Sequence, residues 1–210
     1  MKFPDTFQNM TKIIPPTKRV PGHFYIEHAI VDEHASRISS IRGYWDYVPV
    51  GKYCLLKKAP RAPGWDELWM SDTPREKDDH YGVVRKAEGQ VLLVGLGLGM
   101  VAVALCRKKE VSHVTVLEIE PEVVQLIEPY IRHPKLQVIL ADGNTPPLRG
   151  KHFDTIYIDI WPNVCSDNWE TMKPLLISYR KFRRNGGLVT AWLKDYIQRE
   201  AAKSRREEGR

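Results

Sequence analysis

From Gln90 onward the chain alternates between two hydrophobic periods. Short apolar runs, QVLLVG (90–95), HVTVLEI (113–119), KLQVILA (135–141) and FDTIYIDI (153–160), read as buried strands. Between them, MVAVALCRKK (100–109), PEVVQLIEPYIR (121–132) and a stretch from about 169 to 182 carry apolar residues at helical spacing. Pro121 suits a first helical position. Asn185-Gly186-Gly187 reads as a turn into a fifth strand, LVTAW, and the remainder reads as a terminal helix. Strands that are apolar on both faces and alternate with helices imply a parallel sheet covered on both sides.

Upstream the pattern changes. Residues 1–22 are polar and proline-bearing and read as an extended arm. HFYIEHAIV, KYCLLKK and ELWM, punctuated by Gly43, Gly51 and the Pro60–Gly64 stretch, predict a small β-rich unit. Thr73, Pro74 and Glu76 predict a capped helix running to about Gly89, with a capping box between Thr73 and Glu76. The expected organisation is therefore an arm and β unit over 1–72, an α/β domain over 73–197 and a charged helical tail over 198–210. Right-handed crossovers give a Rossmann-like, doubly wound sheet of order 3-2-1-4-5, with a ligand crevice where the order reverses. Few residues follow LVTAW, so the expectation is a sheet lacking a C-terminal antiparallel hairpin. Its open edge would be covered by the N-terminal unit or by a second subunit, which makes a homodimer possible.

Composition narrows this picture. No apolar run approaches the roughly 18 residues of a membrane span, and the first residues lack a secretory apolar region. Cys54, Cys106 and Cys165 are odd in number and form no CxxC pair, which fits free thiols in a cytoplasmic protein. No metal-ligand spacing is visible, so no metal is expected. The formal charge of +6 and the basic cluster at 180–184 leave nucleic acid open as a partner. A small-molecule acceptor is the simpler expectation.

The chemistry concentrates in Gly95-Leu96-Gly97-Leu98-Gly99-Met100. Alternate glycines allow a sharp strand-to-helix turn and close approach of a ligand to main chain. The spacing is GxGxG, and Met100 stands where a dinucleotide fingerprint wants its third glycine. That weakens a NAD or FAD reading. No Lys-Ser/Thr follows, so this is not a P-loop. Glu118, ending the second strand, is placed to accept both ribose hydroxyls. Its neighbour Glu120 is expected to begin the next helix. Asp142, with Gly143 beside it, follows the third strand and could accept from an adenine amino group. Leu96 and Ile119 could sandwich the ring. Asp159, at the end of the fourth strand, could orient or deprotonate a nucleophile. Trp161 could turn its π-face to a cation, and Asp79-His80-Tyr81 could reach a substrate from the helix before the core. Cys165 is expected to be a small buried residue.

The stretches SDTPREKDDHYGVV, VLLVGLGLGM, VTVLEIEPEVV, LADGN and FDTIYIDIWPN resemble the spermidine synthase-like branch of the class I methyltransferase superfamily, over residues from about 67 to 192. The resemblance implies S-adenosylmethionine (SAM) as cofactor, held by Gly95, Gly97, Gly99, Glu118 and Asp142. It implies methyl transfer to a nitrogen or oxygen nucleophile. Aminopropyltransferases of this branch, which use decarboxylated SAM, have an acid in the glycine loop and an aspartate-rich segment after the fourth strand. This chain has Leu96, Leu98 and DIWPN there. Aminopropyl transfer and a non-catalytic SAM-binding or nucleic-acid-associated role stand as the alternatives.

Overall fold

The computed structural model describes residues 6–41 and 47–208. A three-stranded antiparallel sheet, β1 (Phe24–Val31), β2 (Gly51–Lys58) and β3 (Glu67–Ser71), is built in chain order from the upstream runs. Helix α1 (Glu33–Ile41) follows β1 and was not expected. Asp32 starts it, accepting from the Ala35 N–H at 2.8 Å through its side chain.

Helix α2 (Pro74–Lys86) leads into the second sheet. That sheet is wholly parallel, with β6 (Leu136–Leu140), β5 (Val111–Glu118), β4 (Gly89–Val94), β7 (Phe153–Ile158) and β8 (Arg183–Ala191) in that spatial order. In order of appearance this is 3-2-1-4-5, the Rossmann-like arrangement read from the sequence. Helices α3 (Met100–Cys106) and α4 (Pro121–Ile127) share one core with α2 and the N-terminal sheet. Helices α5 (Asn168–Tyr179) and α6 (Lys194–Glu208) meet a second core on the other face. β4 shows why both faces are covered: Val91 and Leu93 enter the first core and Leu92 and Val94 the second, all essentially buried. Among the described residues no helix is long and apolar enough to cross a membrane.

Three local readings need correction. The capping box does not close: Thr73 Oγ1 accepts from the Glu76 N–H at 3.5 Å, while the Glu76 carboxylate turns to Ser71 and His80. Asn185-Gly186-Gly187 is not a turn ahead of β8 but a register break within it, between the pairs Phe153↔Arg183 and Thr155↔Leu188. The N-terminal sheet does not lie along the edge at β8. It packs on α4 and over the glycine loop, where Met70 and Phe24 join the core with Ile127 and Leu98.

Asp72, fully buried between β3 and α2, holds this packing together. Its carboxylate accepts from the Met10 N–H at 2.8 Å and the Cys54 N–H at 2.6 Å, with Lys77 Nζ at 3.8 Å. Asn at this position would set an NH2 group against one of the two backbone donors. Asp72→Asn is expected to cost about 2 kcal/mol and to lower the melting temperature by about 6 °C, measured by thermal denaturation.

Candidate functional site

The C-terminal ends of β4, β5, β6 and β7 bring the glycine loop, Glu118, Asp142 and Asp159 to one end of the sheet, where a doubly wound fold opens its crevice. Gly95, Gly97 and Gly99 all have positive φ, at 101°, 50° and 70°. A Cβ on Gly95 would lie 2.0 Å from the Asp159 carbonyl oxygen, and one on Gly97 would lie 2.2 Å from Met70 Sδ. The protein's own packing therefore requires these glycines. They do not by themselves separate a ligand loop from a structural turn.

Glu118 adds what the glycines lack. Its side chain crosses from β5 to the loop, and Oε2 accepts from the Leu96 N–H at 2.9 Å. Oε1 accepts from the Glu120 N–H at 2.9 Å, at the start of α4. A carboxylate oxygen has two lone pairs, so each keeps one acceptor position. The residue is 7% exposed, so the carboxylate is held rigidly with only a narrow opening to solvent. Next to it Ile119 is 58% exposed, an open apolar side chain at the strand end. Leu96 differs from expectation. Its side chain is buried in the core, so only Ile119 of that pair offers a surface to a ring.

Asp142 lies one residue beyond Ala141, whose N–H donates to the Glu118 carbonyl. Its Oδ1 accepts from the backbone and side-chain nitrogens of Asn144 at 2.8 and 3.0 Å. Gly143 is buried, its carbonyl accepting from the Tyr179 hydroxyl at 2.6 Å. The Asp142 carboxylate thus has a fixed orientation in an Asx turn.

A second polar group meets the crevice from α2. His80 is fully buried. Its Nδ1 lies 2.8 Å from the Tyr157 hydroxyl, and its Nε2 faces Glu76 Oε1 at 3.6 Å and Asp159 Oδ2 at 3.8 Å. Burial alone would lower the His80 pKa, but the Asp159 and Glu76 carboxylates outweigh it and hold it above the ordinary value. Burial, with Glu76 and Glu118 nearby, pushes the Asp159 carboxyl up to about 6 against the opposing pull of His80. Asp79, one position earlier on α2, is also pushed up to about 6 by burial, although Arg75 lies 2.8 Å away. All three groups bind a proton more tightly folded than unfolded. Such groups stabilise the fold while protonated and lose that contribution as pH rises through the folded value. From the two carboxyls, stability is therefore expected to fall as pH rises from about 4 to about 6. Asp159→Asn should flatten that slope in denaturation curves taken across the range.

The remaining expectations separate. Tyr81 does not join His80, because adjacent helical residues do not share a face. It packs against the first core and lines a cavity with Lys108 and Glu110, at the opposite end of the sheet. Trp161 donates from Nε1 to Thr171 Oγ1 at 3.0 Å and packs between the two cores. Cys165 is half-buried in the loop before α5, not enclosed. Cys54 and Cys106 are buried, and burial pushes their thiols up to about 12 and about 11. Both are neutral at physiological pH.

Three contributors escaped the sequence reading. Glu76 was assigned to a cap, yet it lies at i and His80 at i+4, a spacing that places both on one helix face. Tyr157 precedes Asp159 by two residues, so strand alternation points both the same way. Met70 Sδ accepts from the Leu98 N–H at 3.1 Å and closes over the glycine loop from β3. No local signal announces a contact across 28 residues.

No protein-family model matches the chain, and no curated protein matches it. Among solved structures it is similar to the N-methyltransferase NodS from Bradyrhizobium japonicum in complex with S-adenosyl-L-homocysteine. That match has 17% identity and a TM-score of 0.44, over 55% of this chain and 60% of that one. It is also similar to the CcbJ methyltransferase from Streptomyces caelestis, at 18% identity and a TM-score of 0.42, over 52% and 45% of the two chains. A third is coclaurine N-methyltransferase bound to N-methylheliamine and S-adenosylhomocysteine, at 22% identity and a TM-score of 0.42, over 54% and 34%. The chain spans about half the length of such structures. At these levels the likeness concerns fold alone, and what the chain does must be read from its own residues.

Proposed function

We propose that this chain is a SAM-dependent methyltransferase acting on a small molecule with a nitrogen or oxygen nucleophile. The observation that carries the reading is Glu118. Its buried carboxylate is clamped by the Leu96 and Glu120 N–H groups, with one acceptor position left on each oxygen beside the open Ile119 side chain. Two acceptors a carboxylate's width apart match a ribose diol, and the apolar neighbour matches a purine face. Gly95, Gly97 and Gly99 shape the loop at the amino-acid end, and Asp142, beside Gly143, offers an acceptor at the adenine end. The loop carries no acid, which favours SAM over its decarboxylated form.

When bound, SAM supplies a methyl group already activated on a sulfonium. The chain's residues need only hold the acceptor in line and exclude water, which is catalysis by proximity. Asp159 is the candidate catalytic group. Its side chain is 19% exposed, and its own carbonyl lies against Gly95, so it sits directly beneath the loop. Ionised, it accepts a proton from the nucleophile. His80 stands behind it as a positioning residue, with Nε2 facing Asp159 and Glu76 and its other nitrogen fixed by Tyr157.

Incubating the protein with SAM and a panel of amines and hydroxylated compounds tests the reading, with S-adenosylhomocysteine measured by mass spectrometry. Acceptor-dependent release, reduced at least about tenfold in Asp159→Asn, is the expected result. Methylthioadenosine released from decarboxylated SAM would instead indicate aminopropyl transfer. Tight SAM binding with no transfer to any acceptor would indicate a binding protein.

A further inference from the structure

A parallel sheet gathers the starts of all its strands at one end, and here four of the five starts are basic. Residues 107–110 (RKKE) precede β5, 132–135 (RHPK) precede β6 and 149–152 (RGKH) precede β7. Residues 180–184 (RKFRR) run into β8. The opposite end carries Glu118, Asp142 and Asp159, so the sheet is electrically polarised along its strands. The pairing Phe153↔Arg183 sets residues 149–152 beside 180–184, joining two clusters some thirty positions apart. Lys108 and Lys135 are used internally, donating to main-chain carbonyls at the end of α2 and at the start of β5. Arg107, Lys109, Arg132, Lys151, Lys181 and Arg183 are exposed.

The same end holds a cavity of about 520 Å³. It exists because the segment from β6 to β7 carries no helix, leaving the first residues of β4, β5 and β6 uncovered on one face. Gln90, His113, Gln137, Lys151, His152 and Arg184 line it, and no carboxylate does. Arg184 is oriented by Asp154 at 2.8 Å, which also accepts from the Gln90 N–H.

We propose that this end of the sheet is a binding surface for single-stranded nucleic acid. The exposed cations would meet consecutive phosphates, and the cavity would take one unpaired nucleotide. The volume lies within the range of small-ligand pockets. The amides of Gln90 and Gln137 and the imidazoles of His113 and His152 provide the donors and acceptors that a base or sugar edge needs. A membrane surface fits less well. Among the described residues, no exposed large hydrophobic side chain belongs to the four basic segments or lines the cavity. The surface lies a strand's length from the glycine loop and does not depend on the transfer chemistry.

Fluorescence anisotropy of the full chain with a short labelled single-stranded RNA tests the proposal. Micromolar binding at about 50 mM salt is expected to weaken by about 100-fold at about 200 mM, as for some five neutralised phosphates. The combined variant K151Q/K181Q/R183Q should bind at least about tenfold more weakly and lose about two units of the salt slope. K18Q/K52Q, which removes exposed cations from the N-terminal part, should bind within about twofold of the parent. Circular dichroism confirms that each variant is folded. Absence of binding at low salt, parental binding by the triple variant, or equal binding of a duplex would overturn the proposal. So would retention on phosphatidylserine vesicles without RNA binding.

Discussion

Glu118→Ala is expected to weaken adenosyl binding by at least about 100-fold, the loss of two hydrogen bonds to a charged acceptor at about 1.5 kcal/mol or more each. The same change removes the acceptor for the Leu96 and Glu120 N–H groups. It therefore loosens the loop as well as deleting the ribose contact, and stability should drop by about 2 kcal/mol. Two measurements separate these effects. Glu118→Gln retains an oxygen for one N–H and turns a donor towards the other, so it should recover part of the stability while binding stays impaired. Titrations well below the melting temperature of each variant keep unfolding out of the binding constant. SAM affinity unchanged in both variants would show that Glu118 is only a strut between β5 and the loop.

Among the described glycines, Gly95→Ala should have the largest effect on stability. At φ 101° an L side chain is strained, and the new Cβ would fall 2.0 Å from a backbone oxygen, which no rotamer change can relieve. The expected cost is about 4 kcal/mol, a fall of roughly 10 °C in melting temperature. Gly150→Ala supplies the comparison. Its φ is 73°, with no atom within 4 Å of the added methyl, so it bears the conformational strain without the clash. It should cost only about 1 kcal/mol. If the two variants melted together, the close approach of Asp159 to the loop would be wrong, and with it the placement of the candidate base.

These two residues also show where sequence reading succeeds and where it stops. The sheet order was legible because strands with apolar residues on both faces have few alternatives, and crossover handedness removes most of those. The corners at Gly95, Glu118, Asp142 and Asp159 followed from strand ends alone. What the glycines touch did not. Gly95 and Gly97 are filled by Asp159 and Met70, contacts made across the fold that no spacing announces. Helix α1 escaped although Ala35, Ile38 and Ile41 fall at helical spacing, because the segment is short and lies among β-like runs, and Asp32 at its start resembles any polar loop residue. Glu76 was misread because one carboxylate can serve a cap or a buried histidine, and only packing decides between them. Tyr81 was misplaced because a sequence cluster was treated as a spatial one, although a helix turns adjacent residues apart.

His80, which the sequence offered as a substrate contact, is buried with Tyr157 on one nitrogen and two carboxylates facing the other. Burial raises the Asp159 carboxyl to about 6, and His80 pulls against that rise, favouring the ionised form. His80 also ties the helix before the core to the end of β7, so the acceptor side and the loop side of the crevice share one support.

The account rests on the crevice at Glu118 holding the adenosyl group of SAM. Calorimetric titration of the protein with SAM, decarboxylated SAM, S-adenosylhomocysteine and NAD tests that directly. The prediction is binding of SAM and S-adenosylhomocysteine with similar affinity, weaker binding of the decarboxylated form, and no binding of NAD. Binding of NAD in preference to SAM, or of neither, would contradict it.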